Sequence, residues 1–227
     1  WTEEPVAEPD LPGFDNNTGR NTDSNWLLLA DDHGFAGEIA LRLRDQNCAV
    51  TQVETGDQFQ RLSAGLYEMV PGSREQFEKI LTGIDLQHGR LRVLHFWSLT
   101  GEDERNHQHD GDMHIYQQCL AAGYNSLIAL MQAARNAGIS DRLDIQIYVD
   151  GLSPVDPDSD ALYPEKGLLL GPCLVSPQEI LGLSARCIDI PAIRYHSPEG
   201  SLIDDIFREI RIDSAHSITA LRSECRY

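Results

Sequence analysis

One stretch near the start of this chain constrains its fold more than any other. The apolar run Trp26-Leu27-Leu28-Leu29-Ala30 is followed by Asp31-Asp32-His33-Gly34, and then by Phe35, Ile39, Ala40 and Leu43 at spacings of three and four. A strand-length run that is apolar at every position has no solvent face, so it belongs inside a sheet covered on both sides. The spacing of three and four marks one face of a helix. A second short strand follows at residues 49–53. Strand, glycine-containing turn, helix and strand make a βαβ unit, which requires the two strands to be parallel.

The alternation continues to the end of the chain. Residues 73–84 read as a helix with Phe77, Ile80 and Leu81 on one face, 91–97 as a strand, and 115–137 as a long helix stopped by Gly138. A strand at 143–149 follows, then a helix starting over 165–170 behind Pro164, a strand at 183–190, a helix at 202–210 and a last strand at 217–222. The expected fold class is α/β: a degenerate Rossmann-like, open, mostly parallel sheet with helices on both faces. Residues 1–24, rich in Pro, Asp, Asn and Gly, are expected to form a linker or an edge strand and loop. Residues 25–227 form the Rossmann-like domain, with no internal repeat.

Charge and composition exclude several classes. The net charge of -18 repels phosphate backbones and anionic lipid, so neither nucleic acid nor membrane is an expected partner. No run of 18 apolar residues exists to span a bilayer, and the acidic, Pro-rich start is not a secretory signal. The five cysteines are odd in number and scattered, with no C-x-x-C pair. That pattern fits reduced thiols in a cytoplasmic setting.

Four places carry residue types suited to chemistry. The turn 31–37 stands where a Rossmann fold cradles a diphosphate, but it offers only Gly34 and Gly37 and lacks the first glycine of G-x-G-x-x-G. Asp31 and Asp32 at its mouth oppose an anion, so the phosphate site reads as disabled. Gly37 is expected to let the first helix approach the sheet, so that Gly37→Val would overpack. A short-chain reductase needs a Tyr with Lys or Asn four residues on. Here Tyr67 is followed at that spacing by Pro71, Tyr116 by Leu120, Tyr124 by Ile128, Tyr148 by Leu152, Tyr163 by Gly167 and Tyr195 by Glu199, while Tyr227 ends the sequence.

The segment 106–114, NHQHDGDMH, gathers His107, His109, His114, Asp110 and Asp112. It approximates the H-x-H-x-D-H pattern of binuclear hydrolases, but Gly111 stands where that pattern has Asp. It reads as a solvated loop, and the stretch 101–113 as mobile and dispensable. Cys173 has no histidine near it in sequence and reads as a buried structural thiol. His95, inside LRVLHFW, reads as a satisfied core histidine. No catalytic, cofactor-binding or metal-ligating residue is assigned.

Several segments, taken in order, resemble one family. Residues 26–44 with their acidic turn resemble the start of the structural, N-terminal subdomain of modular polyketide synthase ketoreductases. VLHFWSL at 93–99 resembles that subdomain's V-x-H-L-W-S-L, and GYNSLIALMQA at 123–133 its G-F-x-S-L-L-x-L-x-Q-A helix. The most specific stretch is PEKGLLLGPCLVSPQE at 164–179, similar to a segment ending G-x-x-x-V-x-P-Q-E, followed by CIDI at 187–190 for S-I-D-V. Trp1 resembles the residue that opens the subdomain, and 221–227 the strand that closes it.

The resemblance implies a non-catalytic scaffold that binds no cofactor and supports a separate NADPH-binding catalytic subdomain, absent here. It leaves open whether the chain is a piece of an active ketoreductase or a pseudo-ketoreductase remnant in a non-reducing module. It implies neighbours in the same multifunctional polyketide synthase: the ketoreductase catalytic subdomain, a C-methyltransferase or dehydratase, and an acyl carrier protein. The leucines of 164–179 are expected to face the adjoining catalytic domain, with internal core as the alternative. The rival readings are a free-standing NAD(P)-binding short-chain oxidoreductase with a degenerate loop, and a metal hydrolase built on 106–114.

Overall fold

The computed structural model describes residues 4–5, 24–86, 89–100, 111–155, 162–193, 200–212, 214, 216–222 and 225–227. Its centre is the parallel run of β2 (Ser24–Leu29), β3 (Ala49–Thr55), β5 (Leu66–Met69), β6 (Arg90–His95), β7 (Leu143–Asp150), β8 (Ser184–Ile190) and β9 (Ile218–Arg222). Antiparallel β4 (Gln60–Ser63) closes one edge; β10 (Cys225–Arg226) and β1 (Glu4–Pro5) close the other. The ten strands run β1-β10-β9-β8-β7-β6-β2-β3-β5-β4. The order reverses between β2 and β6, which pair from Ser24↔Arg90 to Leu29↔His95.

The all-apolar first run is explained by this position. Side chains of a strand alternate between faces. Trp26 and Leu28 enter one core with Phe96, Tyr148 and Ile188, beneath α1 (Phe35–Asp45) and α6 (Gly200–Glu209). Leu27 and Leu29 enter the other with Val93, Ile145 and Ile147, beneath α2 (Arg74–Gly83), α4 (Ser126–Asn136) and α5 (Leu170–Glu179). Each large apolar side chain fully buried this way contributes roughly 1.5–3 kcal/mol. The α/β class and the two-sided, mostly parallel sheet are as expected.

The connections carry one irregularity. From β6 to β7 to β8 to β9 the chain steps across the sheet in one direction. The helices of the first two steps lie on one face, whereas α6 lies on the other, beside α1. Equal direction with opposite face means opposite hand. The α1 crossover, stepping the other way on α6's own face, shares the hand of the majority, so β8–α6–β9 is the rare left-handed kind.

Element ends depart from the sequence expectation in places. The strand expected over 91–97 ends at His95, and a turn closed by Leu99 N–H on Phe96 O carries Phe96 and Trp97 over the edge of the sheet. The hairpin β4–β5 was not foreseen, because β4 is mostly exposed and has no apolar alternation to read. Behind Pro164 a 3-10 turn, Pro164–Leu169, leads into α5, which continues to Glu179 through Pro172 and Pro177. Pro172 falls in the first turn, where its missing N–H costs nothing. The helix expected from 115 begins at Gly111, and its middle, Cys119–Asn125, is π-helical. Of the stretch 101–113, only 111–113 fall within the described residues, in α3 (Gly111–Gln118). No described helix is long and apolar enough to cross a membrane.

Candidate functional site

In an open α/β sheet, ligands bind beyond the carboxyl ends of the strands where the strand order reverses. In this chain that place is the carboxyl edge of β2 and β6. A cleft of about 220 Å³ lies there, lined by Asp31, His33, Thr55, Trp97, Leu99 and Gln118 among others.

The turn after β2 has the chain path of a phosphate loop. Gly34 takes φ 97°, a left-handed conformation open to glycine at no cost, and precedes the first residue of α1. The first amides of a helix lack partners within it and attract anions. Here Asp31 is that anion. Its Oδ2 accepts from His33 N–H at 2.9 Å and Phe35 N–H at 3.1 Å, and its Oδ1 from Ala36 N–H at 2.9 Å. Both aspartates were expected to act by repulsion across an open mouth. Instead Asp31 occupies the amides, and Asp32 is exposed. The expectation for Gly37 is overturned: a Cβ built there meets nothing within 4 Å, so no close helix–sheet approach depends on it.

The next strand ends are closed in the same manner. Asp150, the last residue of β7, is fully buried. Its Oδ1 accepts from Thr100 N–H at 3.0 Å and from Lys166 Nζ at 2.9 Å; Lys166, equally buried, also donates to Ser98 O. Asp189, near the end of β8, accepts from Leu152 N–H at 2.9 Å, Ser153 N–H at 2.8 Å and Arg222 Nη2 at 2.9 Å. Burial pushes the Asp189 carboxyl upward, and Arg222 beside it and the two amides pull it back. Farther from this edge, Glu209 lies between Arg186 Nη1, at 2.6 Å, and Arg226 Nε, at 3.2 Å.

These pairings were not foreseen. A signal existed for two of them, because Asp150 and Asp189 stand at or near the ends of buried strands. A carboxylate at the end of a buried strand implies donors waiting for it. Lys166 carries no such signal, because its partner lies across a loop and it follows Tyr163 at three residues rather than four.

The other sequence candidates are settled by burial where they are described. Tyr148 is fully buried, stacks on Phe96 at 4.7 Å, and donates its hydroxyl to Gln146 Oε1 at 3.0 Å. Burial raises its pKa well above the ordinary value. The Cys173 thiol donates to Ser217 O at 3.6 Å, and burial pushes it up to about 12, the mark of an inert structural cysteine. His95 is buried with Nε2 3.0 Å from Ser126 Oγ, and burial lowers its pKa to about 4. Residues 106–110 of the histidine-rich segment lie outside the described residues; among the described ones no group of three metal-binding side chains exists.

No protein-family description matches the chain, and no curated protein matches it by sequence. Solved structures do. A multidomain adenylation, ketoreductase and pseudo-Asub structure from a keto-acid-selecting nonribosomal peptide synthetase module superposes with a TM-score of 0.77 at 16% identity, over 99% of this chain and 17% of that one. An N-terminal ketoreductase from the macrolactin assembly line gives 0.61 at 13%, over 100% of this chain and 42% of that one. A short-chain dehydrogenase from Burkholderia cenocepacia, in complex with NADP, gives 0.55 at 10%, over 88% of this chain and 89% of that one. The fold is that of ketoreductases and short-chain dehydrogenases. At these identities the likeness is one of fold alone. The chain spans less than half the length of either assembly-line protein.

Against that ketoreductase-like fold, the plugged edge stands out. At this edge Asp31, Asp150 and Asp189 all accept from donors of the same chain.

Proposed function

We propose that this chain is a non-catalytic structural subdomain of a ketoreductase region in a polyketide synthase. It positions neighbouring catalytic domains of the same cytoplasmic assembly and binds no nicotinamide cofactor. Residues 25–227 act as one Rossmann-like unit, and residues 1–24 as the lead-in to it. The observation that carries this reading is Asp31. A diphosphate must take the first amides of α1, and a carboxylate already holds two of them, Phe35 and Ala36, together with the turn amide of His33. Expelling it would cost three charge-assisted hydrogen bonds before any ligand contact forms. The likeness to ketoreductases of multidomain synthases supports the setting, and the acidic charge fits the absence of nucleic-acid and membrane partners.

The face offered to a neighbour lies around α5. Of its apolar residues, Leu169 is core, Leu168 and Leu170 are half-buried, and Leu174 and Val175 are exposed, joined by Leu181 at 94% exposure. The segment thus divides between core and exposed residues, and the exposed ones are those the proposal assigns to a neighbour. A catalytic ketoreductase subdomain is the partner best matched to an apolar face, since burying it removes surface from water. The test is amide hydrogen exchange on the chain expressed with and without its natural neighbour. Protection over 174–181 that rises when the neighbour is present supports the docking face. Equal exchange in both forms removes it.

A further inference from the structure

Within the connection from β6 to β7, α3, the π-helical stretch Cys119–Asn125 and α4 follow one another without a break. A π turn bonds residue i to i+5 and so holds one residue more than an α turn. Such stretches are rare and persist only where something holds them. Where the register changes, a carbonyl loses its amide and must find another donor.

Ser126 places a hydroxyl donor at the C-terminal end of the stretch. Its Oγ donates to Ala122 O, four residues back, and stands 3.0 Å from Gly123 O. The same oxygen is 3.0 Å from His95 Nε2 on β6. Both side chains are fully buried. A hydroxyl has a single proton. With that proton on a carbonyl, the imidazole must present Nε2–H to Oγ, leaving Nδ1 as the bare nitrogen. Nδ1 is the ring atom that has no partner among the described residues. Midway along the stretch, Gly123 lies against the end of β6: a Cβ there would stand 3.0 Å from Ser98 Oγ and 3.3 Å from Leu169 Cδ2.

What lies before the π stretch depends on its register. Gln118, Ala121 and Ala122 form one wall of the cleft. α3 exposes Met113 at 60% and Tyr116 at 42%. Removing one residue's worth of winding turns everything N-terminal to it by ~100° about the helix axis.

We propose that this helical run is a two-register element. Ser126, held by His95, keeps 119–125 in the π register; in the α register α3 turns, moving Met113, Tyr116 and one cleft wall together. Ser126 and His95 are positioning residues, and the element gives the closed edge of the sheet a second shape.

The test reads the register directly, by through-hydrogen-bond NMR couplings between carbonyls and amides over 119–127. In the unaltered chain the partners are i and i+5. In Ser126→Ala they shift to i and i+4, and Ser126→Thr, which keeps a hydroxyl, restores i+5. Deleting Ala121 supplies an independent arm, because the two-register element absorbs the deletion as an α-helix and stays cooperatively folded. A Ser126→Ala protein that is merely less stable, with i+5 partners retained, overturns the proposal. If Ser126→Ala does not fold, the Ala121 deletion decides: a folded chain with i+4 partners supports the proposal, and an unfolded one overturns it.

Discussion

The carboxyl edge of the sheet and the outer face of α5 treat polar and apolar groups in opposite ways. At the edge, Asp31, Asp150 and Asp189 fold back on loop amides, a lysine and an arginine of the same chain. On α5, Leu174 and Val175 stand out into solvent, with Leu181 just beyond the helix. An enzyme on this fold needs the reverse, with free donors and acceptors at the edge and apolar groups spent on the core. In the proposed scaffold role, this contrast would let a ligand-binding fold keep its sheet while polar groups at the edge are satisfied from within and apolar contact area moves to a flank.

The comparison is broken most forcefully at Lys166. Removing one member of a buried ion pair strands the other, at a cost of about 3–5 kcal/mol. Lys166→Met is expected to lose that much in urea unfolding. Adding Asp150→Leu should recover a large part, though not all, since Thr100 N–H still loses its acceptor. A Lys166→Met protein of unchanged stability would mean that the edge is not locked by this pair.

His95 gives the next largest effect. Burial holds its pKa at about 4, below the ordinary 6.5. As pH falls through that window the unfolded chain takes up the proton and the folded chain does not. The stability that His95 contributes is therefore complete above about pH 6.5 and is lost progressively toward pH 4. The two and a half units correspond to roughly 3 kcal/mol. Comparing the unaltered chain with His95→Gln across this range isolates the effect from the buried carboxylates. Parallel pH profiles would place His95 in contact with water.

The smallest effect separates the α1 helix from the turn before it. Because open space surrounds a Cβ at Gly37, Gly37→Ala is expected to raise stability by about 0.5–1 kcal/mol through helix propensity. Gly34, at φ 97°, has no such freedom. A loss of stability in Gly37→Ala would restore the close helix–sheet approach that the sequence suggested.

Much of the fold was legible in the sequence, because periodicity reports burial directly. Trp26–Ala30 declared a two-sided strand, and Phe35, Ile39 and Leu43 a one-sided helix, and both stand as read. The β4–β5 hairpin was not legible, since half-exposed short strands impose no pattern. The π stretch was invisible for another reason: a one-residue change of winding is set by a hydroxyl and an imidazole from another element. At the site, the missing glycine and the two aspartates marked the turn 31–37 as acidic and short of glycine. Which aspartate acts, and how, depended on a hydrogen-bond geometry that spacing does not encode.

The most direct test of the closed edge is an NADPH titration of the unaltered chain, followed by cofactor fluorescence. With Asp31 holding the α1 amides, no saturable change is expected at concentrations up to about 100 μM. Saturable binding with a dissociation constant below about 100 μM, roughly 5.5 kcal/mol, would contradict the account, because the plug would then yield to a diphosphate.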